Sequence, residues 1–123
     1  MSVDVSDVPL ELADPVTAAL LVAGVEDGHL AVEVVGPDRI QELNREHRGR
    51  NRATDVLAFP VDGPGPSRGP RELGDVVVCP QECGDVREAV VHGVLHLCGF
   101  DHEVDDGEML ALQAKAMAGL RER

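Results

Sequence analysis

Residues 85–102 read DVREAVVHGVLHLCGFDH, and the rest of the predicted architecture is arranged around this stretch. From Ala89 to Cys98 the residues other than two histidines are apolar almost all round, which is typical of a helix buried on every side. Gly99 follows at the position where a left-handed helix cap favours glycine. The sequence therefore predicts a buried helix over residues 85–98 that ends in a sharp turn.

This stretch also contains three histidines that can share a metal ion. His92 and His96 are four residues apart, so they lie on one face of the predicted helix, and His102 follows the turn. Burying the two helical imidazoles without partners would cost about 1–3 kcal/mol each, a cost that a shared ion removes. Three protein ligands with an open fourth position are typical of catalytic zinc. The sequence predicts one Zn²⁺ per chain, bound by His92, His96 and His102.

The spacing H-x-x-x-H-x-x-G-x-x-H matches the metzincin metalloproteases in all but one position. Those enzymes carry a glutamate general base directly after the first histidine, where this chain has Gly93. A protease without that carboxylate has lost the group that activates water. Gly93 is therefore assigned to close packing or to the close approach of a ligand. Asp101 has two open interpretations, because it can orient a metal ligand or cap the turn.

Apolar periodicity and turn residues predict the other elements. They are a helix over Glu11–Ala23, a strand over His29–Val35, a helix from the N-cap Asp38 to Glu46, strands over Thr54–Phe59 and Leu73–Cys79, and a helix over 106–120. The Pro- and Gly-rich segment at residues 60–72 is interpreted as a long mobile loop, because neither flank is long enough to fold alone. The predicted class is α/β (α+β), with a small mixed sheet of three to four strands packed with helices.

Length and composition predict one domain over residues 1–123 in the cytoplasm. The chain has 123 residues, of which 43% are hydrophobic, but its only aromatic residues are Phe59 and Phe100. It contains neither a secretory signal nor the roughly 20 consecutive apolar residues of a membrane span, so no membrane partner is expected. The three cysteines are odd in number and match no disulfide framework, so they are predicted to be reduced and structural.

The net charge of −12 argues against generic binding to nucleic acid. One segment has the opposite sign: between residues 38 and 52, five arginines stand against three acidic residues, a local charge of +2. The arginines are Arg39, Arg45, Arg48, Arg50 and Arg52. They form either a solvated helix face with ion pairs or a local anion-binding patch.

Three blocks of sequence together resemble the YbeY family of bacterial rRNA-maturation endoribonucleases. They are LNREHRGRNRATDVLAFP (43–60), LGDVVVCP (73–80) and HGVLHLCGFDH (92–102), in the order that the family has. The similarity extends from about Leu30 to Met109. It implies a small α/β fold, a zinc ion bound by the three histidines, and a cleft lined by Arg48. The chain departs from the family pattern at His47, Ala58 and Gln113, where tyrosine, serine and glutamate are usual, and in shorter segments on either side of the histidines.

The main hypothesis is a zinc-dependent, single-strand-specific endoribonuclease acting in rRNA maturation and ribosome quality control. Arg48 is expected to hold the phosphate and to stabilise charge developing at phosphorus. Arg50 and Arg52 either guide the RNA backbone or are plain surface charge. The chain's acidity suggests basic ribosomal proteins as further partners, and the lack of Trp and Tyr suggests weak base preference.

Two alternatives remain at this stage. One is a zinc-stabilised ribosome-assembly factor without catalysis, which the missing glutamate and the strong acidity favour. The other is a metallohydrolase of a different substrate, such as a peptide, against which Gly93 argues.

Overall fold

The computed structural model describes residues 2–61 and 71–121 as a mixed α/β structure. Its strands are β1 (Ser2–Asp7), β2 (Asp27–Val34), β3 (Val56–Pro60) and β4 (Glu72–Val78). Its helices are α1 (Ala13–Ala23), α2 (Pro37–Arg48), α3 (Val86–Leu97) and α4 (Glu108–Arg121), with 3₁₀ turns at Leu10–Leu12 and Pro80–Glu82. The predicted class, a small mixed sheet packed with helices, is confirmed.

The sheet has the strand order β1-β2-β4-β3. β1 pairs parallel with β2 and β2 parallel with β4, whereas β3 is an antiparallel edge strand on β4. Sequence analysis missed β1, because Val3 and Val5 are its only apolar residues and an edge strand needs little burial. The long loop predicted at residues 60–72 falls mostly on 62–70, outside the described residues.

β4 separates two apolar clusters, because alternate side chains of a strand point to opposite faces of the sheet. Val76 and Val78 face the larger cluster, to which α1, α3 and α4 contribute. Val77 faces the smaller cluster, together with Ile40 and Leu43 of α2. The sheet therefore carries three helices on one face and α2 on the other, with β3 at the edge between α2 and α3.

α3 is the predicted buried helix, and Gly93 allows its close approach to the sheet. A Cβ atom at Gly93 would lie 2.8 Å from Val76 Cγ1 and 3.1 Å from Val56 Cγ2. The structure supports close packing, the first of the two interpretations left open for this glycine; Gly93 also lines a cavity together with His92 and His96. The position that carries the metzincin glutamate is directed at the sheet here, so a carboxylate there would have to enter the contact between α3 and the strands.

Local capping explains how the helices next to the cleft begin and end. Asp85 caps α3 by accepting a hydrogen bond from Arg87 N at 3.0 Å. The prediction of Asp38 as the N-cap of α2 is wrong: the cap is Gly36, and Pro37 occupies the first turn, where its missing N–H and restricted φ cost nothing. Gly99 has φ 97°, in the left-handed region that the prediction requires of it.

Cys79, Cys83 and Cys98 are free thiols, and Cys98 packs in the larger cluster. Burial raises the pKa of both Cys83 and Cys98 to about 11, so these thiols stay protonated.

Over the described ranges, the helices are too short or too polar to cross a bilayer.

Candidate metal centre and cleft

His92, His96 and His102 converge at the end of α3. One nitrogen of each ring lies within 4.8 Å of the others. The ring centroids are 4.9 Å apart for His92 and His96, 5.0 Å for His92 and His102, and 5.6 Å for His96 and His102. The helical turn aligns the first two rings, and the chain reversal at Gly99 brings back the third. The predicted juxtaposition is therefore present in the structure.

The turn after α3 is held mostly by backbone hydrogen bonds. Gly99 N donates to His96 O at 3.0 Å, and Phe100 N donates to Leu95 O at 3.1 Å. Asp101 Oδ1 accepts from Glu103 N at 2.9 Å. Asp101 thus caps the turn, which is one of its two predicted roles. These bonds hold the segment that carries His102 against the end of the helix.

The environment of His96 favours a neutral ring. Burial lowers the pKa of His96 from its ordinary value, and the neighbouring His92 lowers it further, while Asp101 acts in the opposite direction. A neutral imidazole keeps a lone pair on one nitrogen, which is the form that binds metals.

The three rings fit a metal ion. A tetrahedral ion with bonds of about 2.0–2.1 Å spaces its nitrogen ligands roughly 3.4 Å apart. The nitrogens here lie within 4.8 Å of one another, so binding requires only a small inward movement of the rings. Three imidazoles suit zinc, copper, iron or nickel, and His102 is exposed, which leaves the centre open to solvent on one side.

Gln113 of α4 contacts the ring of His92. Its Oε1 lies 2.8 Å from His92 Nδ1. Sequence analysis noted Gln113 only as a departure from the family pattern and missed this contact. A usable signal existed: Gln113 lies four residues after Met109 and four before Met117, so it is a polar residue in an apolar helical row whose two flanking methionines are buried.

Two cavities run side by side along β3. The first has a volume of about 320 Å³, and its lining includes His92, His96 and Gln113. The second has a volume of about 440 Å³, and its lining includes His96 and His102. Both also share Arg48 and residues 56–58 of β3. The histidine centre therefore opens into one cleft between α3 and the end of α2.

Arg48 lies in this cleft because α2 ends beside β3. Its Nη2 donates a hydrogen bond to Ala58 O at 3.1 Å. Gly49, with φ 69°, ends the helix and turns the chain toward the strand. Arg48 lines both cavities together with His96. The structure thus brings the sequence-predicted arginine and the histidines to the same cleft.

Arg50 and Arg52 line the second cavity only. Asn44, which is 3% exposed, holds their loop: its side-chain Nδ2 donates to Arg52 O at 3.0 Å, and its backbone carbonyl accepts from Arg50 N at 3.3 Å. Within residues 2–61 and 71–121, neither arginine side chain has a hydrogen bond or an ion pair. Arg39, by contrast, pairs with Glu42 on the exposed face of α2. The basic segment therefore includes both a helix-face ion pair and arginines that line the cleft.

Carboxylates line the first cavity together with Arg48. They belong to Asp55, Asp85 and Glu88. Asp85 caps α3, and Asp55 Oδ1 accepts from Val56 N at 2.8 Å. Glu88 lies one helical turn before His92 and has no side-chain hydrogen bond within the described part of the chain. Sequence analysis did not single out Glu88, although its spacing from His92 places both on one face of α3.

Comparisons with known proteins find one family model, several relatives of the same name and a similar solved structure. A sequence model described as "Endoribonuclease YbeY" matches residues 11–121. A relative of that name from Rubrobacter xylanophilus is 41% identical, over 78% of this chain and 70% of its own length. Another, from Alkalilimnicola ehrlichii, is 41% identical over 86% of this chain and 69% of its own. The solution structure of a Thermotoga maritima protein is 26% identical, covers 98% of this chain and 91% of its own, and has a TM-score of 0.55.

Proposed function

The chain belongs to the YbeY family of endoribonucleases, which confirms the resemblance found in its sequence, and we propose that it is a zinc-dependent enzyme that cuts single-stranded RNA during rRNA maturation and ribosome quality control. The observation that carries the proposal is the shared cleft, whose two cavities are both lined by Arg48 and by histidines of the metal centre. A centre suited to a cation beside a guanidinium suits a phosphodiester, because both groups act on negatively charged oxygens.

His92, His96 and His102 would hold the ion, and three neutral imidazoles are a donor set that zinc favours. When bound, zinc supplies Lewis-acid chemistry, because it polarises a phosphoryl oxygen and lowers the pKa of water to about 7. Every other contribution comes from side chains of the cleft.

Arg48 holds the phosphate in this mechanism. Its guanidinium has five N–H donors, and the bond to Ala58 O uses only one of them. That bond orients the planar group over β3, where the remaining donors can form two parallel bonds to phosphate oxygens. Because these bonds strengthen as charge develops at phosphorus, Arg48 stabilises the transition state more than the bound substrate.

Glu88 is the proposed proton acceptor. Its carboxylate lines the first cavity with His92 and Arg48 and has no competing hydrogen bond within the described residues. Glu88→Gln should keep the zinc affinity and the melting temperature of the wild type, while the rate of RNA cleavage falls. An unchanged rate of cleavage by Glu88→Gln would remove Glu88 from the mechanism.

The substrate and partners follow from the charge and the ring content of the chain. Arg50 and Arg52 would guide the RNA backbone along the second cavity, since their side chains are unpaired within the described residues. With no Trp or Tyr, base stacking contributes little, so base preference should be weak. The net charge of −12 supports basic ribosomal proteins as partners. In this proposal residues 1–123 act as one domain, in the cytoplasm.

The test uses zinc-loaded protein without a histidine tag, the variant His92→Ala, and single- and double-stranded fragments of rRNA. We expect the wild-type protein to cut the single-stranded fragment only and His92→Ala to cut neither. Equal cutting by both proteins would reveal a contaminating nuclease. Cutting by neither, together with metal-independent binding to ribosomal subunits, would favour the assembly factor without catalysis.

A further inference from the structure

Gln113 interrupts an apolar face of α4 at the point where that helix passes the metal centre. Met109, Ala116, Met117 and Leu120 are the buried residues of α4. Gln113 lies on the same side by helical spacing, is half-buried, and lines the cavity that contains His92 and His96. A polar amide with these neighbours needs a hydrogen-bond partner, because leaving one unsatisfied costs about 1–3 kcal/mol. Its partner is His92 Nδ1, at 2.8 Å from Gln113 Oε1.

This contact determines which nitrogen of His92 can face a metal. A carbonyl oxygen only accepts hydrogen bonds, so Nδ1 must carry the proton and donate it to Gln113 Oε1. The lone pair then lies on Nε2. In metal sites, the second ring nitrogen of a histidine ligand usually donates to an oxygen in this way, and the bond fixes both the tautomer and the orientation of the ring.

We infer that Gln113 is a positioning residue that holds His92 as the Nδ1–H tautomer with Nε2 directed to the metal, and that it thereby sets the zinc affinity of the centre. The inference rests on the proposed metal centre and deepens it. It also gives α4 a part in the site, because Gln113 is 21 residues from His92 in the chain.

The neutral charge of this acceptor has a consequence of its own. A carboxylate in the same place would accept a stronger, charge-assisted bond and make the imidazole a better ligand. Gln113 therefore sets the centre for weaker zinc binding than a glutamate would. The substitution that removes the acceptor and the one that charges it should move the zinc affinity in opposite directions.

The experiment measures the zinc dissociation constant by competition with a chromophoric chelator at neutral pH. We expect Gln113→Leu, which keeps the side-chain bulk but loses the acceptor, to bind zinc about tenfold or more weakly than wild type. Gln113→Glu should bind zinc more tightly than wild type. Gln41→Leu is the matched control, because Gln41 lies on α2, outside both cavities, and its substitution also removes a glutamine hydrogen bond, the one to Asn51. Ala114→Glu adds the same negative charge at an exposed position of α4.

A second readout reports the tautomer directly. Nitrogen-15 NMR of the metal-free protein should show His92 protonated at Nδ1 in the wild type and in Gln113→Glu, and a mixture of tautomers in Gln113→Leu. Melting curves of the metal-free variants show whether each is folded.

The outcomes separate this inference from the proposal beneath it. If wild type binds zinc but Gln113→Leu binds it equally well, or if Gln113→Glu binds it no more tightly than wild type, the positioning role is wrong and the metal centre stands. If Ala114→Glu tightens binding as much as Gln113→Glu does, charge alone is responsible and the role is again wrong. If wild type binds no zinc, the metal centre falls and the inference falls with it.

Discussion

His29 and His96 show how one residue type serves two purposes in this molecule. His29, on β2, lies between two carboxylates, with Nδ1 2.6 Å from Glu72 Oε2 and Nε2 2.8 Å from Asp7 Oδ2. The hydrogen bonds to Asp7 and then to Glu72 raise the pKa of His29 to about 9. His96 has two histidines beside it instead, and burial followed by the charge of His92 lowers its pKa.

The difference shows that neighbours, and not the histidine itself, determine whether a ring becomes a cation or a ligand. At neutral pH His29 is an imidazolium that bridges β1, β2 and β4, and both of its nitrogens are occupied. A metal needs a neutral ring with an unshared lone pair, which the surroundings of His96 favour. The two regions should therefore respond to different perturbations, and a substitution in one should leave the other unchanged.

The largest expected effect separates the two regions by zinc affinity. His96→Ala removes one of three ligands and should weaken zinc binding by about 100-fold or more, or roughly 2.7 kcal/mol. His29→Ala removes a histidine that is committed to Asp7 and Glu72, and it should bind zinc like wild type. Calorimetry or chelator competition measures both. If His29→Ala loses as much affinity as His96→Ala, the distinction drawn between the two regions is wrong.

The next effect concerns how tightly the metal-centre helix is packed. Gly93→Ala places a Cβ 2.8 Å from Cγ1 of the fully buried Val76, so it should lower the free energy of unfolding by roughly 1–3 kcal/mol. Gly119→Ala is the matched control on α4, where a Cβ meets nothing within 4 Å. It should be neutral or stabilise the protein by up to about 1 kcal/mol. Urea unfolding measures both variants, and equal stability for the two would contradict this account of α3.

Substitutions at Arg48 test the phosphate-binding role of the cleft while leaving both His29 and the three histidines of the metal centre in place. Arg48→Ala should cut RNA cleavage by about tenfold or more, or roughly 1.4 kcal/mol of transition-state stabilisation, while zinc content and melting temperature stay nearly unchanged. Arg48→Lys should recover only part of the rate, because lysine keeps the charge but loses the planar fork. Arg45→Ala, on the exposed surface of the same helix and outside both cavities, should cleave normally. Normal cleavage by Arg48→Ala would show that Arg48 does not hold the phosphate.

The smallest effect is the pH dependence of the His29 region. Because its folded-state pKa is raised to about 9, the stabilisation from His29 is fully present below the ordinary value of 6.5 and is lost as pH rises through about 9. His29 is 32% exposed, so solvent screening limits the loss to a few degrees of melting temperature. His29→Gln cannot titrate and should lack this alkaline decrease. If the melting temperatures of the wild type and His29→Gln change in the same way from neutral to alkaline pH, the raised pKa is contradicted.

The parts of the fold and site that sequence analysis predicted correctly depend on local pattern. α3 was recognisable because its apolar residues run all round, and the histidine cluster because helical spacing and Gly99 bring three rings together within eleven residues. The basic segment around Arg48 was identified by its charge. The resemblance of three sequence blocks to the YbeY family implied that Arg48 lines a cleft beside the histidines.

The missed features depend on tertiary packing. The contact between Gln113 and His92 requires knowledge of how α4 lies against α3, which no spacing within either helix contains. For Gly93 the sequence left two interpretations open, because Val76 and Val56, the side chains behind it, come from two separate strands. The His29 bridge joins residues from three strands, so its raised pKa could not be read from any one segment of sequence.

The central claim, that one zinc ion at the three-histidine centre makes the protein an endoribonuclease, is tested most directly by a titration. Zinc is added in steps to metal-free protein without a histidine tag, and cleavage of a single-stranded rRNA fragment is measured at each step. The account predicts no cleavage without zinc, a linear rise, and a plateau at about one zinc per chain. Cleavage by the metal-free protein, or a fully zinc-loaded protein that leaves the RNA intact, would contradict it.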